Sequence, residues 1–366
     1  MVADSNDVSL RRTLLNIILF LVFLYFFLLS IQVMAHGFKA LGGAAAKNFL
    51  RPTENPFVGL FIGILATSLF QSSSSTTSIV VGLVAVGALT LNQAIPMVMG
   101  ANIGTTVTNT IVSLGHISRK DDFRRAFAAA LLHDIFNLLS VAIVFPLWMF
   151  THYLDRAAEF LSSAFSGAGG VSFSSPLKMI TQPVADQIGG LLGETGWLIL
   201  LVSLVLLFVS LRYMVLYMKA LVMTRAEVIF ERTVFRTDFH GLLFGMVLTA
   251  LVQSSSVTTS LMVPLAGAGM ITLPRLFPYV LGANIGTTVT AMLAALATGN
   301  ATAISVAFAH LLFNISGILI FWWIKCVPIK LTQHLSNFIT KHRALAIVYI
   351  ALVFFIIPFT LIYLLE

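Results

Sequence analysis

Residues Gln71–Ser78 read QSSSSTTS, and residues Gln253–Ser260 read QSSSVTTS. Each run of hydroxyls interrupts a long apolar tract, 57–115 in the first case and 239–297 in the second. Setting residue n against n+182 turns the two tracts into copies. From Phe57 to Asn109, 29 of the 53 positions are identical. Both copies go on to GANIGTTVT, at Gly100–Thr108 and at Gly282–Thr290. Farther along the offset falls to 177, and HDIFN (His133–Asn137) meets HLLFN (His310–Asn314). The chain is therefore built twice from one unit, 57–150 and again 239–324: a polar-tipped apolar hairpin, an interrupted helix and a continuous helix.

Around these units the sequence stays apolar. Of 366 residues, 58% are hydrophobic and only 10% charged, against about 25% charged in ordinary soluble domains. Mean hydropathy is +0.98. This is the composition of an all-α integral membrane protein. It excludes a soluble enzyme, a secreted disulfide scaffold and a disordered chain. Clear spans are expected at 13–34, 126–150, 197–218, 302–324 and 344–364. The first follows Arg11 and Arg12, and its 22 apolar residues exceed the roughly 7–15 of a cleaved signal peptide. The single cysteine, Cys326, allows no intrachain disulfide and no thiolate cluster and reads as a boundary residue. Trp148, Trp197, Trp322 and Trp323 fall near span ends, where interfacial anchors belong.

The remaining segments divide as 1–56 (first span and outside connection), 151–196 (an extracytoplasmic stretch), 197–238 (a linking span and basic segment) and 325–366 (a linker and the last span). The 151–196 stretch is rich in Gly167, Gly169, Gly170, Ser172, Ser174, Ser175 and Pro176, with a weak signal for a short interfacial helix at 176–188. The basic residues suggest a topology. With a cytoplasmic N-terminus, hairpins that enter and leave on one side, and a single crossing for each GANIGTT tract, 16 of the 21 Lys and Arg gather inside. They are Arg11, Arg12, Arg119, Lys120, Arg124, Arg125, Arg212, Lys219, Arg225, Arg232, Arg236, Arg275, Lys325, Lys330, Lys341 and Arg343. Lys39, Lys47, Arg51, Arg156 and Lys178 stay outside. This asymmetry satisfies the positive-inside rule and explains the net charge of +7 without nucleic acid. The two units are then inverted, their re-entrant hairpins entering from opposite sides. Hairpin arms that span fully would change that parity.

The chemistry gathers in the polar clusters. Consecutive hydroxyls facing lipid are costly, so they pack between helices or form a site. At a hairpin tip, helix-end N–H groups hold anions, while freed carbonyls and hydroxyls hold sodium. In GANIGTT, Asn102, Thr105, Thr106 and Thr108 offer polar ligands, whereas Gly100 and Gly104 also fit a close helix crossing. Residues 57–115 carry no Asp, Glu, Lys or Arg, and 239–297 only Arg275. An anion there would need co-bound cations, which is the logic of sodium coupling. The lack of carboxylates argues against a proton relay or a divalent-cation pump. His133 with Asn137, and His310 with Asn314, share helix faces at i+4 and serve either gating or interhelical packing. Asp134 has no counterpart in the second unit, where Leu311 stands. It is either functional or close enough to the cytoplasm to pair with Arg124 or Arg125. No ATP-binding, GxSxG or HExxH motif is present, so no enzyme is expected.

The doubled QSSS, the doubled GANIGTT and an HxxFN after each resemble the type II sodium-dependent phosphate cotransporters, in the bacterial branch. The resemblance covers 57–150 and 239–324. It implies sodium-coupled inorganic phosphate uptake by alternating access at a cell (inner) membrane, with sodium as coupling ion and no other cofactor. By matching motif, Gln71, Ser72, Ser73, Ser74, Gln253, Ser254, Ser255 and Ser256 become phosphate-binding positions. The expected sodium positions are Gln71, Ser75, Thr76, Asn102, Thr105, Thr106, Gln253, Thr258, Asn284, Thr287 and Thr288. Ser75 meets Val257 in the second copy, so the tips are not equivalent. Short termini and a modest outside loop differ from the longer animal members, so regulation by tails is not expected. A transporter of another oxyanion or a dicarboxylate, and a non-transport structural or regulatory subunit, are the rival readings.

Overall fold

The computed structural model describes residues 2–41, 51–168, 176–230 and 237–366. Lys47, Arg232, Arg236 and the connector residues Gly169, Gly170, Ser172, Ser174 and Ser175 lie outside the described residues, as do the side chains of Lys178 and Arg225. The chain opens with α1 (Val2–Leu41). The first unit runs through α2 (Pro56–Phe70), α3 (Ser73–Ala85), α4 (Leu91–Gly104), α5 (Val107–Ser113) and α6 (Lys120–Thr151). Next come α7 (Tyr153–Ala168), α8 (Pro176–Leu191) and α9 (Gly196–Phe230). The second unit comprises α10 (Asp238–Val252), α11 (Ser255–Ser260), α12 (Met262–Gly267), α13 (Leu273–Thr298) and α14 (Ala301–Trp323). The described chain closes with α15 (Cys326–Ile339), α16 (Ala344–Ala351), a π-helical turn at Leu352–Ile356 and α17 (Ile357–Leu365). Among the described residues, six helices are long and apolar enough to cross a membrane: Arg11–Leu41, Lys120–Thr151, Gly196–Leu221, Leu273–Thr298, Ala301–Trp323 and Ala344–Leu365. The hairpin arms α2, α3 and α10 are shorter.

The two units begin alike. Both α2 and α10 have 15 residues and end at a glutamine in the left-handed region, Gln71 at φ 51° and Gln253 at φ 60°. The serine that follows reverses the chain. Ser72 and Ser254 both sit at φ −152°, and their hydroxyls accept from the backbone N–H groups of Ser75 and Val257 at 3.2 and 3.3 Å. Serine suits this cap because its short oxygen reaches the first free donors of the next helix. Glycine fixes how the hairpin meets the helix behind it. A Cβ on Gly63 would land on the Met97 carbonyl oxygen, and one on Gly100 on that of Leu60. In the second unit, Gly245 and Gly282 stand in the same way against Tyr279 and Leu242. Backbone thus lies on backbone where α2 crosses α4 and α10 crosses α13, as small residues allow. The packing reading of the GANIGTT glycines holds.

Then the units diverge, and the expected pair of interrupted helices is found once. The first GANIGTT tract breaks between Gly104 and Val107, but α13 runs unbroken through the second. The cause is a competing donor. The Asn102 carbonyl accepts from Asn137 Nδ2 at 2.8 Å, and the Thr106 N–H turns instead to Ile103 O. In the second unit Asn314 Nδ2 donates within its own helix, to His310 O, and the α13 ladder survives. The second unit breaks elsewhere, at Leu261 in the returning hairpin arm. There Pro264 replaces Gly82. Proline removes one N–H and crowds the carbonyl four residues back.

The 151–196 stretch is also more ordered than its composition suggests. It contains α7 and α8, and α7 lies on α14 through Ser162 Oγ to Ala301 O (2.9 Å) and Tyr153 OH to Ser316 Oγ (3.0 Å). Trp148 is not an interfacial anchor: it is buried and donates to Asp155 Oδ1 at 2.7 Å. Trp197 and Trp323 are exposed, Trp322 is half-buried, and Cys326 is exposed. Outside the repeats, α1 packs along α9, where Phe23 stacks on Tyr213 and Tyr217 at 4.9 and 5.7 Å.

Candidate functional site

The two hairpin tips meet. Gln71, Ser72, Ser74, Ser75, Gln253 and Ser254 line one cavity of about 330 Å³. Ser74 Oγ donates to the Gln253 carbonyl at 3.0 Å and lies 3.5 Å from Thr290 Oγ1. Thr290 Oγ1 donates to Gln253 Oε1 at 2.7 Å, and Gln253 Nε2 returns to Ala250 O. Four oxygens of neutral groups, from Ser74, Gln253 (two) and Thr290, therefore cluster beside the N-terminus of α3. Hard oxygen ligands of this kind suit sodium, and the free N–H groups of a helix start suit an anion. Ser73, Ser255 and Ser256 are buried behind the cavity rather than lining it. Ser256 Oγ reaches toward Thr105 O at 3.5 Å. A larger cavity, about 430 Å³, lies away from the tips between Arg124, Arg125, Gly269 and His334. Arg124 and Arg125 are paired with Asp121 and Asp122, and no QSSS residue reaches it.

The GANIGTT asparagines do a different job. Asn102 Nδ2 donates to Asn314 Oδ1 (2.8 Å), and Asn102 Oδ1 accepts from His310 Nε2 (2.9 Å). Asn284 mirrors it, donating to Asn137 Oδ1 and accepting from His133 Nε2, both at 2.7 Å. Each unit's asparagine is thus clasped by the other unit's HxxFN helix. All six side chains are buried. With each Nε2 facing an amide oxygen, the neutral imidazoles must carry their proton there and accept at Nδ1. His133 Nδ1 has Asn109 Nδ2 at 3.3 Å, whereas the buried His310 Nδ1 has no partner among the described residues, because Ala291 stands where the first unit has Asn109. Of the other expected sodium positions, Thr105 and Thr287 bond back to Ala101 O and Ala283 O, and Thr76 and Thr258 to the carbonyls of Ser72 and Ser254. Thr288 bonds to Ile285 O.

A family model described as Na+/Pi-cotransporter matches residues 26–178 and 206–359, so it too falls on the chain in two segments. The chain belongs to the Na+/Pi-cotransporter family. Its relatives include sodium-dependent phosphate transport protein 2B of Homo sapiens, 34% identical over 445 residues, covering 94% of this chain and 64% of the relative. Protein 2A of Rattus norvegicus is 34% identical over 426 residues, covering 94% and 67%. Protein 2A of Mus musculus is 35% identical over 427 residues, with the same coverage. The chain spans just under two thirds of the length of the 2B relatives. No solved structure matches it.

Three polar residues of this Na+/Pi-cotransporter chain take places that its sequence left open or hid. Asp134 does not pair with Arg124 or Arg125. It is fully buried, and its carboxylate accepts from Thr106 Oγ1 (2.9 Å) and from the Tyr349 hydroxyl of α16. Thr290, the last threonine of GANIGTTVT, is not among the expected sodium positions, yet its hydroxyl joins the oxygens of Gln253 and Ser74. Arg212, counted among the cytoplasmic basic residues, lies nine residues before the end of the apolar stretch of α9 and lines the cavity shared by the tips.

Proposed function

We propose that this chain is a secondary active transporter that couples sodium to the inward movement of inorganic phosphate. The observation that carries this reading is the single cavity in which both QSSS tips meet. Family membership supports it, since the relatives are sodium-dependent phosphate transport proteins by name. Sodium is held by the oxygens of Gln253, Ser74 and Thr290. Phosphate takes the hydroxyls of Ser72 and Ser74, the Gln71 amide and the N–H groups at the start of α3. Sodium binding organises the tips, phosphate docks, and the neutralised core changes access. The units are inverted, each QSSS hairpin is re-entrant, and the N-terminus is cytoplasmic. The positive-inside count supports that arrangement. Alternating access follows when two copies of one unit exchange conformations, and the copies do hold their tips differently. The protein works in the cell membrane. Its place in the bacterial branch rests on the short 151–196 connection.

Labelled phosphate uptake into proteoliposomes holding only this protein tests the reading. An inward sodium gradient should drive uptake that potassium cannot replace, and arsenate but not sulfate should compete. Sulfate or a dicarboxylate transported in place of phosphate would overturn the substrate. Folded protein that moves no solute under any gradient would overturn transport itself.

A further inference from the structure

The tip cavity contains a fixed cation that neither hairpin supplies. Helix α9 turns Phe208, Leu211 and Val215 toward it, and Arg212 stands at the edge of that face and lines the same space. Phe208 also seats α9 on the first hairpin, its ring 4.9 Å from that of Phe70 at the end of α2. The register of Arg212 against Gln71 is therefore set by packing. Two further facts single this arginine out. It lies within the apolar stretch Gly196–Leu221, nine residues before its end, with its side chain exposed, and a charge in such a stretch is a functional candidate. Among the described residues, no carboxylate lies within ion-pair distance of it, and none lines the cavity. Its guanidinium has charge to give and nothing in the described protein to give it to.

We propose that Arg212 is the cationic element of the anion site. It pairs with a tetrahedral oxyanion held between the tips, donating two N–H groups to two of its oxygens. The inference rests on the phosphate-transport reading and deepens it. The hairpins contribute hydroxyls, amides and helix-end donors, all neutral. A doubly charged phosphate left to these alone is neutralised only by co-bound sodium. A planar guanidinium adds charge and a fork that matches two phosphate oxygens, which a lysine ammonium does not reproduce. Arg212 belongs to α9, outside both repeated units, so it also ties the substrate to the helix that packs along α1.

The test is an equilibrium one, on the full chain in detergent with sodium present. Thermal stabilisation is titrated with inorganic phosphate for wild type, Arg212→Lys and Arg212→Gln, and with sodium alone as reference. The phosphate concentration giving half the effect should rise about tenfold or more in Arg212→Gln, the loss of one charge-assisted hydrogen bond. It should rise less in Arg212→Lys, and the shift given by sodium alone should be the same in all three. Should Arg212→Gln fail to fold, Arg212→Lys decides, since it keeps the charge but loses the fork. A half-effect concentration equal to wild type in the folded variants overturns this inference and leaves an arginine that merely reaches toward the membrane surface. Wild type that neither takes up phosphate nor is stabilised by it overturns the transport reading instead.

Discussion

The two halves of this molecule start from nearly one sequence and end in different hydrogen-bonded states. In the second half Gln253 is buried, its amide oxygen held by Thr290 and its carbonyl by Ser74. In the first half Gln71 is exposed, and Thr108, the counterpart of Thr290, has a buried hydroxyl with no partner among the described residues. The first GANIGTT helix is broken and the second is whole. The first HxxFN helix carries a buried acid and the second a leucine. What the halves share is the glycine crossings, the left-handed glutamine and the serine cap, which set backbone geometry. They also share the clasped asparagines, but not where the other polar side chains spend their hydrogen bonds. The lesson is that duplication preserves the scaffold while a few substitutions, Asp134 for Leu311 and Asn109 for Ala291, redirect buried hydrogen bonds.

The shared part is the most costly to break. Asn102→Ala strips His310 Nε2 and Asn314 Oδ1 of their partners, and Asn284→Ala does the same to His133 and Asn137. Each should lower stability by about 2–4 kcal/mol, two orphaned buried groups at roughly 1–2 each, as measured by chemical denaturation in micelles. Equal losses in the two variants would support the crossed clasp. A loss in only one would break its symmetry.

Asp134→Leu makes the first half copy the second. Tyr349 loses its acceptor, while Thr106 keeps Ile103 O at 2.8 Å. A loss of about 1–2 kcal/mol is expected. A gain in stability would mean that the buried carboxylate is a strain the fold carries for function alone. The smallest effect separates the glutamines. Gln253→Ala should cost about 1 kcal/mol for its lost bond with Thr290, and Gln71→Ala a few tenths at most, because its side chain is exposed. Matching losses would mean that Gln71 is as firmly held as Gln253 in solution.

Much of this architecture is legible in the residues alone. The offset of 182 finds the repeated unit because identity survives where backbone geometry demands it, at Gly63 and Gly245, Gly100 and Gly282, Ser72 and Ser254. Spans at 126–150 and 302–324 are long apolar runs; the first falls inside α6 and the second matches α14 to within one residue at each end. The unbroken α13 is not legible, since it depends on which carbonyl Asn314 chooses, a tertiary competition with no local signature. The same holds for Asn102 and Asn284, whose amides look like ion ligands until the opposite half's histidines are seen to occupy them. Arg212 reads as one more basic residue near a span end because nothing in its neighbours says which way α9 turns. In 151–196 the weak helix signal at 176–188 falls within α8, whereas α7 goes unread because the stretch is rich in glycine and serine.

The central claim is that the two QSSS tips make one transport site, and sodium-gradient phosphate uptake by Gln71→Ala and Gln253→Ala beside wild type tests it most directly. Both folded variants should lose most of the sodium-dependent rate although their stabilities differ. Wild-type uptake by both would contradict a site built from the tips.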